Sequence, residues 1–342
     1  LLSYRGSYPY FTSAKELNRY DVIYSASLPI AAYFSGRPYC YFAVGGDLQS
    51  DCGRGDNYGE IMTLSVNAAR FLLVSNPHVI GHSRRLGFTN GVYLPYPMDS
   101  EDHYCPGNGR HRAEWEEQFG EGVYVLITSR LDKNVKGFDN DFLQTLFSIA
   151  RLRKDVRFIF LSWGNHAEEF KQRIANSGLD RQLIVLFPVG KRRLIDYYRS
   201  CDIVLDQLVY GYYGATALEA AAIGKPVVMK QREEHYAPLY DGDVAPVCNV
   251  NNPSELKQVL LSLIDNSERR KDQGIAMRSW LVRNHGEEKM VPRLLALLRL
   301  TADRVQLPQE IAQMNPLLDD ETGEEREYHL SCLREVKRDC GT

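Results

Sequence analysis

The sequence predicts an α/β protein of two doubly wound domains, and three observations carry the prediction. Short β-branched and aromatic runs alternate with helical stretches along most of the 342 residues. Between residues 123 and 230 the alternation is regular, and the apolar runs are nearly continuous. Strands buried on both faces of a parallel sheet require that pattern. The chain is also about twice the length of a typical domain, and its 44% hydrophobic and 25% charged residues can fill two cores.

The elements follow in order. In the first half, strands are expected at residues 20–26, 39–45, 71–76 and 91–97, with helices at 28–34, 58–70 and 77–86. Residues 99–122 carry Pro106, Gly107 and Gly109 among many polar residues and read as a linker plus a short helix. Strands then fall at 123–129, 156–163, 183–189, 202–208 and 226–230, separated by helices at 140–153, 166–177, 192–200 and 214–223. Their crossovers should be right-handed, with the ligand crevice at the carboxyl ends of the strands. After Pro253 the pattern is helical, at 254–264, 267–284 and 287–304. Residues 319–339 hold eight acids and four bases and read as a solvated or loosely docked tail. The expected domains are 1–118 with the linker, 119–285, and a C-terminal region of helices and tail at 286–342.

Composition excludes several classes of function. A net charge of −3 supplies no bulk basic field for a nucleic acid. No apolar run approaches the ~18–20 residues of a membrane-spanning helix, which leaves peripheral membrane contact open. The chain begins Leu1-Leu2-Ser3-Tyr4-Arg5, without an initiator Met or a signal-peptide pattern. Seven cysteines with no C-x-x-C pair argue against a zinc knuckle and a disulfide framework, and they fit a reducing cytoplasm.

Two phosphate motifs are excluded. Gly53-Arg54-Gly55-Asp56-Asn57-Tyr58-Gly59 is one residue too long for the dinucleotide fingerprint and lies several residues past its strand. Gly224-Lys225-Pro226 lacks the Ser/Thr and upstream Gly of a Walker A loop. More informative is the loop after the strand at 123–129, where Arg130 and Lys136 project into the expected crevice. A guanidinium grips two phosphate oxygens and an ammonium adds a point charge, so the pair suits a diphosphate. A solvated turn with ordinary surface cations would carry the same residues.

A second element runs from Asp206 through Tyr210-Gly211-Tyr212-Tyr213-Gly214-Ala215-Thr216 to Glu219. Its glycines admit a ligand to the backbone, and a helix starting at Gly214 aims free N–H groups at it. Glu219, on the second turn, can accept hydrogen bonds from a ribose diol, or simply stabilise the helix N-terminal dipole. His78, His82 and His103 lack a supporting carboxylate for a metal site, and the first two read as residues of a surface helix. Lys191-Arg192-Arg193 is a solvated helix start or a phosphate contact. Asp47 faces a cleft or caps a turn.

Together these residues resemble the C-terminal half of the family-four retaining glycosyltransferases of the GT-B fold, the glycosyl transferases group 1. The resemblance is carried by Ser129-Arg130-Leu131 with Lys136-Gly137, by Gly211-Tyr212-Tyr213-Gly214, and by Leu218-Glu219-Ala220-Ala221-Ala222-Ile223-Gly224-Lys225-Pro226-Val227-Val228. Leu161-Ser162-Trp163-Gly164 and Tyr197-Tyr198-Arg199-Ser200-Cys201-Asp202 match family strand and helix ends. Gly45-Gly46-Asp47-Leu48, Leu73-Val74-Ser75 and Leu94-Pro95 look like N-domain signposts. The resemblance covers roughly residues 20–300 and is specific in the second domain.

It implies two Rossmann-like domains facing a cleft, an NDP-sugar donor on the second and an acceptor on the first. The acceptor would be a glycan, a lipid-linked group or a small molecule, as in polysaccharide biosynthesis. Arg130 and Lys136 would hold the diphosphate, Glu219 the ribose, and Gly214, Ala215 and Thr216 would approach the donor by their amides. Gly45, Gly46 and Asp47 would lie on the acceptor side. Neither a cofactor nor a metal is implied, since protein cations stabilise the leaving diphosphate. The family mechanism is a same-face internal return, with the leaving phosphate oxygen helping to deprotonate the acceptor.

Three departures qualify the match. The family's first Glu, eight positions before the second, falls on Gly211, so Asp206 is the nearest replacement for a sugar contact. Val44 stands where the family often has a His. The opening N-domain strands and acceptor loop are missing before Tyr20, so the first domain reads as truncated. Two rivals keep the fold: a sugar-nucleotide-binding protein without transfer, and a GT-B epimerase or phosphorylase-like enzyme.

Overall fold

The computed structural model describes residues 7–26, 28–137 and 140–304. The chain forms two compact units, one of residues 1–97 and 288–342, the other of residues 98–287. The acidic stretch 319–339 lies outside the described residues.

The first unit holds a four-stranded sheet in the order β1-β2-β3-β4, with β1 Ile23–Ser25, β2 Tyr39–Ala43, β3 Phe71–Val74 and β4 Gly91–Tyr93. All three pairings are parallel. Alternate residues of a strand share a face, so Cys40, Phe42, Phe71, Leu73 and Val92 line one side. Met290 and Leu297, two helical turns apart on the helix Glu287–Ala302, close that side. The C-terminal helix thus returns to the first sheet. The helix Pro29–Phe34 packs on β1, β2 and the helix Asn57–Asn67, with Ile30, Ala31 and Ala32 buried.

The second unit holds β5 Val123–Ile127, β6 Val156–Leu161, β7 Leu183–Leu186, β8 Ile203–Leu205, β9 Val227–Met229 and β10 Cys248–Asn249. All are parallel, in the order β10-β9-β8-β5-β6-β7. The chain therefore winds outward from β5 in one direction, then returns to β8 and winds outward in the other. That reversal leaves a topological switch point at the carboxyl ends of β5 and β8, where doubly wound sheets bind ligands. Val125, Ile127, Phe158, Phe160 and Ile203 build a core under the helices Asn140–Leu152 and Pro253–Asp265. Two of its helix starts carry side-chain caps: Asn252 accepts from Glu255 N at 2.9 Å and Asn266 from Arg269 N at 2.9 Å.

The helix His111–Phe119 packs within the second unit, with Trp115 buried 5.1 Å from Tyr197 by ring centroids. Observed strands are shorter than the apolar runs that predicted them. β8, for example, ends at Leu205, and by Leu208 the backbone has turned to a new partner: Leu208 N donates to Lys136 O at 2.9 Å. Among the described residues no helix is long and apolar enough to cross a membrane.

Candidate active site

The switch point is built from two loops and one helix start. Leu131 anchors the first loop: its side chain is fully buried in the core, its N–H donates to Trp163 O at 2.8 Å, and its carbonyl accepts from His166 N at 3.1 Å. Gly164 makes that approach feasible, since a Cβ there would lie 2.9 Å from Leu131 N. With Leu131 fixed inward, the neighbouring Arg130 side chain is exposed. Trp163, 43% exposed, is held by its indole N–H on Thr128 O at 2.8 Å. The bond between Leu208 and Lys136 brings the end of the loop against β8. Among the described residues neither the Arg130 nor the Lys136 side chain has a hydrogen-bond or ion-pair partner.

The helix Ala215–Ile223 starts at this point. Gly214, its N-cap, supplies no side-chain cap, and the first intrahelical bond is Leu218 N to Gly214 O. The amides of the first turn are thus left for a ligand, with the positive end of the helix dipole behind them. A Cβ on Gly214 would sit 3.9 Å from both Lys136 Nζ and Asp206 Oδ2, so the ammonium and the helix start converge. The Thr216 hydroxyl is engaged with Thr128 Oγ1 at 3.0 Å, which in turn meets Tyr198 OH at 2.9 Å. Thr216 therefore offers its amide, not its hydroxyl. Burial, reinforced by Glu219, pushes the Tyr198 phenol well above its usual range and keeps it a neutral partner.

Asp206 reaches no solvent. One oxygen accepts from the Ser129 hydroxyl and the other has no hydrogen-bond partner among the described residues. Such a carboxylate lies beneath the ligand surface, ill placed for the sugar contact the sequence suggested. Gly211 is buried with φ +87°, and a Cβ there would lie 2.6 Å from Arg232 Cγ. Gln207 fixes this turn, accepting from Gly211 N at 2.9 Å and donating to Lys230 O at 3.0 Å. Side-chain chemistry is absent at position 211 because another side chain fills the space.

Glu219 is nearly buried. Its Oε1 takes the Lys191 ammonium at 2.5 Å and the Tyr104 hydroxyl at 3.4 Å. Sequence reasoning did not foresee this arrangement, because the partners lie 28 and 115 residues away. In the first unit, Gly45, Gly46 and Asp47 follow β2. Asp47 accepts from Val44 N at 3.1 Å, Gly45 N at 2.8 Å, Leu48 N at 3.0 Å and the Tyr41 hydroxyl. It caps its turn. His78 and His82 are buried, a correction to the surface-helix reading, because the helix Pro77–Arg85 turns both inward. Among the described residues no group of three His, Cys, Asp or Glu side chains could hold a metal ion.

A cavity of about 510 Å³ lies at the opposite end of the helix Ala215–Ile223, lined by Ile223, Gly224, Arg278 and Arg283 among others. It is remote from the switch-point cations.

Residues 111–280, wholly inside the second unit, match the family model of the glycosyl transferases group 1. The chain is 28% identical over 148 residues to the mannosylfructose-phosphate synthase of Agrobacterium fabrum, covering 40% of this chain and 32% of that one. It is 28% identical over 172 residues to a D-inositol 3-phosphate glycosyltransferase of an Arthrobacter species, covering 49% and 40%. The chain thus spans less than half the length of the curated relatives it matches. The crystal structure of Anabaena HepE with UDP and glucose matches with a TM-score of 0.66 at 15% identity, over 85% of this chain and 80% of that one. That likeness shows the fold, GT-B.

Proposed function

The chain belongs to the glycosyl transferases group 1, and from that premise we propose that it moves a sugar from a nucleoside diphosphate donor to an acceptor hydroxyl with retention of anomeric configuration. One observation carries the reading: two cations without a partner among the described residues, Arg130 and Lys136, stand with the uncapped start of the helix Ala215–Ile223 at the β5/β8 switch point. A diphosphate uses all three features at once. Arg130 takes two of its oxygens, Lys136 adds a point charge, and the amides of Gly214, Ala215 and Thr216 complete the cradle.

In the reaction the bond between the anomeric carbon and the diphosphate oxygen breaks, and its electron pair stays on the phosphate. That developing charge is what Arg130 and Lys136 stabilise. The acceptor oxygen bonds the anomeric carbon on the same face, and its proton passes to the leaving phosphate oxygen. Protein cations thus supply the charge that a divalent metal would otherwise bring. Glu219 accepts the ribose hydroxyls. The acceptor, a glycan, a lipid-linked group or a small molecule, is assigned to the first unit at the loop of Gly45, Gly46 and Asp47. Cysteines without a pairing pattern support a cytoplasmic setting.

Calorimetry with UDP and GDP tests the reading. Arg130→Ala and Lys136→Ala should each weaken nucleotide binding by about 1.5–3 kcal/mol, the range of a charged hydrogen bond. Unchanged affinity in both variants would sink the assignment. The crowding at Gly211, where Arg232 fills the space a sugar-binding carboxylate would need, favours a second reading: binding of a sugar nucleotide without transfer. Incubation with UDP- and GDP-sugars separates the two, since only a transferase releases the free nucleotide.

A further inference from the structure

We infer that Lys191 and Tyr104 form a clamp on one oxygen of Glu219, leaving the other for the donor's ribose, so that Lys191 sets the preference of the site for ribonucleotides. The inference rests on the donor reading above. Glu219 lies on the second turn of the helix Ala215–Ile223 with a side chain only 6% exposed. A carboxylate so little hydrated needs a fixed partner, and Lys191 Nζ supplies it at 2.5 Å. The Tyr104 hydroxyl donates to the same oxygen at 3.4 Å. Both donors converge on Oε1, while Oε2 has no partner among the described residues.

That asymmetry has a chemical consequence. A carboxylate free to rotate offers either oxygen in many directions, and a ligand that binds it must first order it. Held by one oxygen, it presents the other as an acceptor in one direction, toward which a sugar hydroxyl can donate. An ammonium cannot accept a hydrogen bond, so Lys191 cannot itself compete for the ligand's hydroxyls. Lys191 opens the helix Lys191–Ser200 just past the end of β7, and its stem is half exposed. Its exchange therefore disturbs no core. The arrangement also separates Lys191 from the phosphate contact that its basic neighbours Arg192 and Arg193 suggest, because its charge is already matched by Glu219.

The test is calorimetry with three ligands, UDP, 2′,3′-dideoxy-UDP and inorganic pyrophosphate, on the parent, Lys191→Met, Lys191→Arg and Tyr104→Phe. The parent should bind UDP about tenfold or more tighter than the dideoxy analogue, as the loss of a hydrogen bond to a charged group dictates. Lys191→Met should shrink that preference to within about threefold and leave pyrophosphate binding within about twofold, because the lost contact is remote from phosphate. Lys191→Arg should restore the preference, and Tyr104→Phe should lower it less than Lys191→Met. A full preference in Lys191→Met overturns the clamp while leaving the donor reading intact. Equal losses for UDP and pyrophosphate overturn it in favour of a phosphate contact. A parent that binds UDP and its dideoxy analogue alike overturns the ribose reading of Glu219, and the clamp with it.

Discussion

Each unit carries a loop with glycines and charged residues at the carboxyl end of a parallel strand, and the two loops use their polar groups in opposite ways. Past β2, Asp47 accepts four hydrogen bonds, three from backbone amides of its own turn and one from the Tyr41 hydroxyl. Nothing on that carboxylate is left over. Burial and the Asp47 charge hold the Tyr41 phenol far above its usual range, so it remains the donor of that bond. Past β5, Leu131 is anchored and Lys133 is paired with Glu169 at 2.6 Å, while among the described residues Arg130, Lys136 and the first amides of the helix Ala215–Ile223 stand without partners. A saturated carboxylate serves its own turn. An unsaturated loop, held rigid by its neighbours, keeps its donors for a ligand.

The comparison predicts that variants of the first loop change stability and variants of the second change affinity. Asp47→Ala strands the buried amides of Gly45 and Leu48 and the Tyr41 phenol, and at ~1–3 kcal/mol for each unsatisfied group the loss should be at least about 3 kcal/mol. Thermal or urea unfolding measures it, with nucleotide affinity unchanged wherever the variant is folded. A melting temperature close to the parent's would break the comparison at its strongest point. Arg130→Ala and Lys136→Ala should do the reverse, leaving the melting temperature where it was. Gly211→Ala comes next. The residue would adopt φ +87° and meet Arg232 Cγ, adding a left-handed cost of ~1–2 kcal/mol to overpacking of ~1–3 kcal/mol, about 2–5 kcal/mol together. Gly211→Glu should be at least as unstable and should not confer sugar binding, so a stable Gly211→Glu would show that the turn is roomier than its neighbours suggest.

What the sequence made legible follows from how local each signal is. The strands of the second unit are continuous apolar runs, and the family motifs lie on the loop and helix that form the switch point. Strand order was not legible, because β5 pairs with β8 across about eighty intervening residues and no local pattern encodes it. The helix Glu287–Ala302 was expected as a helix, but a helical pattern does not name the sheet it covers, here that of the first unit. β10 has two residues, too few for any periodicity. The capping role of Asp47 was one of two readings the sequence allowed, and only the converging amides decide between them. The partners of Glu219 come from a helix start and a distant loop, and the crowding at Gly211 from Arg232, a residue with no motif around it.

The smallest expected effect concerns Asp206, a side chain of the second unit with one oxygen engaged and one not. Its carboxylate is wholly buried: one oxygen belongs to the scaffold through Ser129, and the other lies unbonded beside the helix start that Lys136 faces. A contact with the donor sugar would need exposure that this side chain lacks, so Asp206→Asn should not slow transfer selectively. Its effect should be electrostatic. The asparagine oxygen can keep the Ser129 bond, while the negative charge next to the diphosphate cradle disappears. Anions should then bind more tightly, by roughly two- to tenfold, the scale of one partly screened charge at short range. Titration of UDP and pyrophosphate into Asp206→Asn and the parent measures the difference, and the gain should be equal for both because both present the same phosphates. A loss of UDP affinity would show that Asp206 supports the cradle in a way asparagine cannot. A selective fall in transfer rate at parental UDP affinity would instead return it to the sugar.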